Sequence, residues 1–247
     1  MIDTKYTYAV ARIRALETAL FTSATLDQLM ACQTEEQCLQ LIQEKGWGGA
    51  DTPVNAEAIL TREQEKIWEN IRDLGVDMSV FDVLSYPNMF HNLKAAIKDV
   101  CTEENGKSMN IYYDDTAISP DEMLEIVRSK DFSRLPKYMA GAAKEAYETL
   151  LHTRDGQLCD VIVDKAALEA IYAAGKEAKD SIIKDYAEST VAIADIKIAV
   201  RSQKTAKNLD FMKRAMAECE SLSVAQLSKA AVSGIDAIVE YLSGTAY

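Results

Sequence analysis

The chain has 247 residues, 48% of them apolar, which is enough to bury a sizeable core without disulfides or metals, as one large domain or two or three small ones. The formal net charge of −12 excludes a general nucleic-acid binder and a polybasic membrane-surface protein, because both need clustered Lys and Arg. Ten Gly and four Pro are few breakers, and with many Ala, Leu, Ile, Glu and Lys they predict long helices.

Taken in order, the first predicted helix is Tyr8 to Leu20, with Tyr8, Ala11, Ala15 and Leu16 at helical spacing. Thr25 and Gln28 stand in capping-box positions for a second. Thr34 caps a third, with Glu35 and Glu36 in its first turn, where acidic residues suit the helix dipole. Gly46-Trp47-Gly48-Gly49 stops it, with Trp47 expected to pack inward. Asn55 to Leu74 reads as one longer helix with Ile59, Ile67, Trp68, Ile71 and Leu74 on or near its inner face. Pro87 predicts a break, since the residue before Pro is biased away from helix, and a helix restarts at Met89. Cys101 to Ser119 is polar and reads as an exposed insertion with a little strand. Ser119-Pro120-Asp121-Glu122 is a strong helix start.

Lys137 to Leu151 is the next helix. Gln157 to Ala174 opens on β-branched Val161-Ile162-Val163, but its continuation favours helix throughout. Ala178 to Arg201 contains the most apolar stretch of the chain: from Val191 to Val200 only Asp195 and Lys197 are charged. A helix apolar nearly all round is normally buried, and this one is too short and too charged to span a bilayer. Asn208 to Glu218 and Ser223 to Leu242 are two more helices. The N-terminus, M-I-D-T-K-Y-T-Y, has no basic region followed by an apolar run, so no secretory signal is expected.

The end of that apolar helix, D-I-K-I-A-V-R, has a near-copy in N-L-K-A-A-I-K at Asn92 to Lys98 and a weaker one in Y-A-V-A-R-I-R at Tyr8 to Arg14. The alignment puts Arg14, Lys98 and Arg201 in register. Each copy precedes a short capped helix. The uneven spacing excludes a solenoid of fixed period and predicts an all-α fold of three related helical bundles with a pseudo-threefold internal repeat. The expected divisions are 1–88, 89–185 and 186–247.

Few residues point to chemistry. Gly106-Lys107-Ser108 ends like a phosphate loop, but Cys101 stands where that loop needs its first Gly. The two histidines, His91 and His152, have no partner at metal-ligand spacing. Asp114-Asp115 and Glu103-Glu104 read as solvated charge. The five cysteines (Cys32, Cys38, Cys101, Cys159 and Cys219) form no C-x-x-C pair and read as reduced, mostly buried thiols. No catalytic, cofactor-binding or metal-binding residue is expected. Asp195 is the exception among acids. A buried carboxylate needs a partner, and the expected one is a Lys or Arg of a neighbouring helix.

Five stretches together resemble the C subunit of bacterial and archaeal A/V-type rotary ATPases, the homologue of the d subunit of the eukaryotic V-ATPase. They are Y-A-V-A-R-I-R-A-L-E (Tyr8 to Glu17), F-H-N-L-K-A-A-I-K (Phe90 to Lys98), D-G-Q-L-C-D-V-I-V-D-K-A (Asp155 to Ala166), V-A-I-A-D-I-K-I-A-V-R (Val191 to Arg201) and Y-L-S-G-T-A-Y (Tyr241 to Tyr247). The resemblance implies a funnel of three helical domains, non-catalytic and without cofactor. It implies a cytoplasmic central-stalk subunit, peripheral to the membrane, that joins the central-shaft subunits to the membrane rotor ring and so couples ATP hydrolysis or synthesis to ion transport. No nucleic acid or small-molecule substrate is implied. Family members continue past the motif matched by Tyr241 to Tyr247, so the resemblance implies an incomplete third bundle. Arg14, Lys98, Asp195 and Arg201 are the candidate structural or interface positions. The alternative reading is a helical-repeat adaptor for unrelated proteins.

Overall fold

The computed structural model describes residues 6–102 and 112–247. The chain divides into a first unit ending at Met78 and a second, Ser79–Tyr247. Among the described residues there are twelve α-helices and no strand, so the all-α expectation holds.

The first unit contains α1 (Thr7–Glu17), α2 (Ser23–Ala31), α3 (Glu35–Glu44) and α4 (Ala56–Asp73). Side-chain caps set three of these starts, each satisfying an N–H that the helix itself leaves unpaired. Thr34 accepts from Gln37 N, and Asn55 from Ala58 N. The cap of α2 is Thr22, accepting from Thr25 N, rather than the expected Thr25. Thr25 lies inside the first turn, and its hydroxyl shares a hydrogen bond with that of Thr22. The stop at Gly46 holds, with φ at +88°. Trp47 is half-buried and stacks on Phe21 at 4.6 Å. The loop is fastened by α4: Glu63 accepts from Gly48 N at 2.7 Å, and Lys66, ion-paired with Glu63, donates to Gly46 O and Gly48 O. Helix α1 buries none of its side chains. The inner face of α4 forms with Ile59 buried and Trp68, Ile71 and Leu74 half-buried, but Ile67 is exposed.

The second unit contains α5 (Asp82–Cys101), α6 (Pro120–Ser129), α7 (Lys137–Thr153), α8 (Gly156–Glu177), α9 (Ser181–Lys204), α10 (Leu209–Ala215), α11 (Val224–Ser233) and α12 (Ile235–Ser243). The predicted break at Pro87 is absent; α5 runs through it. Pro87 lies in the second turn, so the ring removes one ladder bond near an end that is already short of them. Val83, Met89 and Phe90 are buried on either side, and their packing outweighs that loss. The other correction is at Gly234, whose φ of +132° separates α11 from α12 where one helix was expected. That backbone region is open essentially only to glycine.

Two cores fill this unit. The first lies between α5, α6, α7 and α8 and includes Phe90, Leu93, Ile97, Met123, Met139 and Val163. The second lies between α9, α10, α11 and α12 and includes Ala192, Met212, Met216, Leu227 and Ile238. Helix α8 packs on α5 and α7 on one side and on α9 and α10 on the other, and a small cluster of Val83, Ile171 and Ala187 lies between the two cores. At the α8–α9 crossing, Gly175 lets the backbones close up: a Cβ there would sit 2.2 Å from Ala187 Cβ.

The supposed insertion is not free where it is described. Residues 112–118 dock on α5. Fully buried Asn92 donates to Tyr113 O at 2.7 Å and accepts from Tyr113 N at 2.9 Å, and Tyr112 Oη donates to Asp99 at 2.6 Å. Glu103-Glu104, Gly106-Lys107-Ser108 and the suggested strand there lie outside the described residues, while Asp114 and Asp115 are exposed.

Candidate functional site on helix α9

Helix α9 is not buried all round. Val191, Ala192, Asp195 and Ala199 face inward, whereas Tyr186, Ile193, Lys197 and Arg201 form an exposed stripe. Asp180 starts the helix by accepting from Ile182 N at 2.8 Å. Its inward face carries two carboxylates, Glu188 and Asp195, two turns apart. Both hold the same extended segment, which follows α10 and leads to α11.

Glu188 accepts from Ser221 N at 2.7 Å, Ser221 Oγ at 2.6 Å and Glu220 N at 3.2 Å. Burial pushes its carboxyl up, but these hydrogen bonds outweigh burial and leave it below the ordinary carboxylate value. Asp195 is wholly buried and accepts through Oδ1 from Ala217 N at 3.1 Å. Its Oδ2 has no hydrogen-bond partner among the described residues. Burial pushes it up to about 7; the Ala217 hydrogen bond and Lys165 oppose that, and Glu218 adds to it. The expected ion pair to a neighbouring Lys or Arg therefore does not form. Lys165, on α8, instead donates to Lys213 O at 3.3 Å and lies 3.8 Å from Glu169. A backbone amide takes the place of the cation.

The three aligned cations do not share an environment. Arg14 is exposed and pairs within its own helix with Glu17 at 2.8 Å. Lys98 joins α5 to α8: its Nζ donates to Asp160 Oδ2 at 2.9 Å and lies 2.7 Å from Oδ1, the second contact being ionic rather than a directed hydrogen bond. Arg201 is exposed, with no ion pair among the described residues. Arg14 belongs to the first unit, and within the second unit Lys98, Asp195 and Arg201 serve separate contacts. Sequence reasoning missed Glu188 and Asn92, both of which bond backbone groups distant in the chain. Glu188 had one signal, its heptad spacing from Asp195 on an otherwise apolar face.

Chemically, the α9 site is a fastening with one proton-exchanging group. Beside it an open groove of about 600 Å³ is lined by Cys219, Ser221, Tyr241 and Thr245. Cys219 Sγ lies 3.8 Å from Ser221 Oγ, and burial pushes its thiol up, which disfavours the nucleophilic thiolate. No group of three His, Cys, Asp or Glu among the described residues could hold a metal ion. No helix among the described residues is long and apolar enough to cross a membrane.

A family model described as ATP synthase (C/AC39) subunit matches residues 9–247. The chain belongs to that family. It is therefore related over nearly its whole length to the C and d subunits of the A/V-type rotary ATPases. No curated protein and no solved structure gives a match. In this C/AC39 chain the matched span includes α2 to α12 and both carboxylates of α9.

Proposed function

We propose that the chain is a non-catalytic central-stalk component of an A/V-type rotary ATPase, held at the cytoplasmic face of the membrane by its neighbours in the complex, and that it joins the rotating shaft to the membrane rotor ring. The observation that carries this reading is the family match over residues 9–247. In this role the chain makes and breaks no bond in the nucleotide. It transmits torque, and its working parts are packed helices and the surfaces they present.

The division into three bundles, 1–88, 89–185 and 186–247, belongs to the same proposal. Its support is that one core of the second unit is built from Met89 to Ala170 and the other from Ala192 to Ile238.

The test is co-purification. A tagged chain expressed in its own cells is expected to bring down shaft subunits and the ring from detergent-solubilised membranes in one complex with ATPase activity. Recovery of the chain with neither shaft nor ring would overturn the proposal, and recovery with unrelated proteins alone would favour the adaptor reading.

A further inference from the structure

The first unit holds two thiols that the fold brings to one place. Cys32 is the residue that closes α2, and Cys38 lies in the first half of α3. Cys32 Sγ donates to Gln28 O at 3.4 Å, and Cys38 Sγ donates to Leu29 O at 3.7 Å. Those two carbonyls are consecutive on the last turn of α2, so both sulfurs converge on the same helix end. Both residues are partly exposed, which leaves them open to a small reagent. The other three cysteines differ. Cys101 and Cys159 are shut in the core, and Cys219 faces Ser221 Oγ and the Leu222 carbonyl.

We propose that Cys32 and Cys38 form a reversible redox pair, closed to an intramolecular disulfide by exchange with a low-molecular-weight disulfide such as oxidised glutathione. One protein thiolate attacks the small disulfide, forming a mixed disulfide and releasing one small thiol. The second protein thiolate attacks the protein-bound sulfur, forming the Cys32–Cys38 bond and releasing the other small thiol. Two protein thiols are oxidised and one small disulfide is reduced to two thiols, with the two protein protons passing to them. Desolvation first, and then the neighbouring Cys38 thiol, hold the Cys32 thiol above its ordinary value. Exchange is therefore slow at neutral pH and quickens as the thiolate fraction rises. The product ties the end of α2 to α3, in a unit whose buried apolar side chains are Leu39 and Ile59 among the described residues.

The experiment uses the full chain equilibrated anaerobically at pH 8 with oxidised and reduced glutathione, then quenched in acid, alkylated and digested with trypsin. Both cysteines fall in one tryptic peptide, residues 15–45. The expected result is that this peptide appears two hydrogens lighter and unalkylated, while Cys101 and Cys159 remain alkylatable. The equilibrium constant for closure is expected to be on the order of tenfold larger in the folded chain than in urea, because the fold raises the effective concentration of one thiol at the other. Cys32→Ser and Cys38→Ser are each expected to stop at a single glutathione adduct on the remaining thiol. Two alkylatable thiols in the 15–45 peptide, an adduct that persists in the wild type without closing, or equal closure in urea would each overturn the proposal.

Discussion

The two units are stabilised in different ways. Among the described residues, the second buries two contiguous apolar cores, whereas the first buries only Leu39 and Ile59 among its apolar side chains and leaves α1 with none buried. The first unit relies on local polar fastenings: the caps at Thr22, Thr34 and Asn55, the Glu63–Lys66 pair on the Gly46–Gly48 loop, and Arg62 between Glu65 and Glu69. The exposed ion pairs among these are each worth little and are screened by salt, and a neutral cap is worth about 1 kcal/mol. Apolar burial is worth ~1.5–3 kcal/mol for each large side chain. The same chain thus carries a firm region and a compliant one, and opening should begin in the first.

Core truncation tests this most severely. Leu93→Ala removes a wholly buried side chain from the first core of the second unit and is expected to cost about 4 kcal/mol, against about 2 kcal/mol for Leu39→Ala, where loose surroundings can collapse. Equal losses in urea unfolding would remove the contrast. Next, Gly175→Ala puts its new methyl 2.2 Å from Ala187 Cβ and must part α8 from α9. An overpacking loss of about 3 kcal/mol is expected, read as a fall in melting temperature. An unchanged melting temperature would mean that the crossing is slack.

The third prediction concerns pH. Asp195 sits near 7 in the folded chain, above the ordinary carboxylate value, so the folded state binds this proton more tightly than the unfolded one. The stability from that proton is complete below about pH 4 and is lost as pH rises through 7. Asp195→Asn keeps an acceptor for Ala217 N and removes the titration. It is expected to be more stable than the wild type by about 4 kcal/mol at pH 8, with the gap narrowing as pH falls and closing only below about pH 4. Parallel pH profiles for the two proteins would show that Asp195 is not the titrating group. The smallest effect is expected at Arg14→Ala, a urea-unfolding midpoint indistinguishable from that of the wild type, because its pair with Glu17 is exposed. A lower midpoint would show that α1 is held more firmly than its exposure indicates.

Legibility followed the range of each interaction. Caps were readable at Thr34, Ser119 and Ser223 because donor and acceptor lie three residues apart. Pro87 was misread because the packing of Val83, Met89 and Phe90 is not a local property. Gly234 was visible as a letter, but its φ of +132° is imposed by how α12 folds back on α11. The family resemblance was legible in short strings spread along the chain, and the match over residues 9–247 supports it. The buried state of Asp195 was also foreseen, but not its partner. A backbone amide has no side-chain letter, so the Ala217 contact left no trace, and the Glu188 contacts to Glu220 and Ser221 were hidden for the same reason. The repeated strings did not reveal that Arg14, Lys98 and Arg201 would meet three different surroundings.

Helix α8 lies against both cores of the second unit. At about 1.5 Å per residue, its 22 residues make a rod of about 33 Å. Neither half can melt without stripping one flank of that rod. The two halves should therefore lose structure in one cooperative step, and the amides of α8 should be the last to exchange with solvent. Helices α11 and α12 both pack on α9, and α9 packs on α8, so a push delivered to either is expected to pass through α9 to the rod and on to α5 and α7.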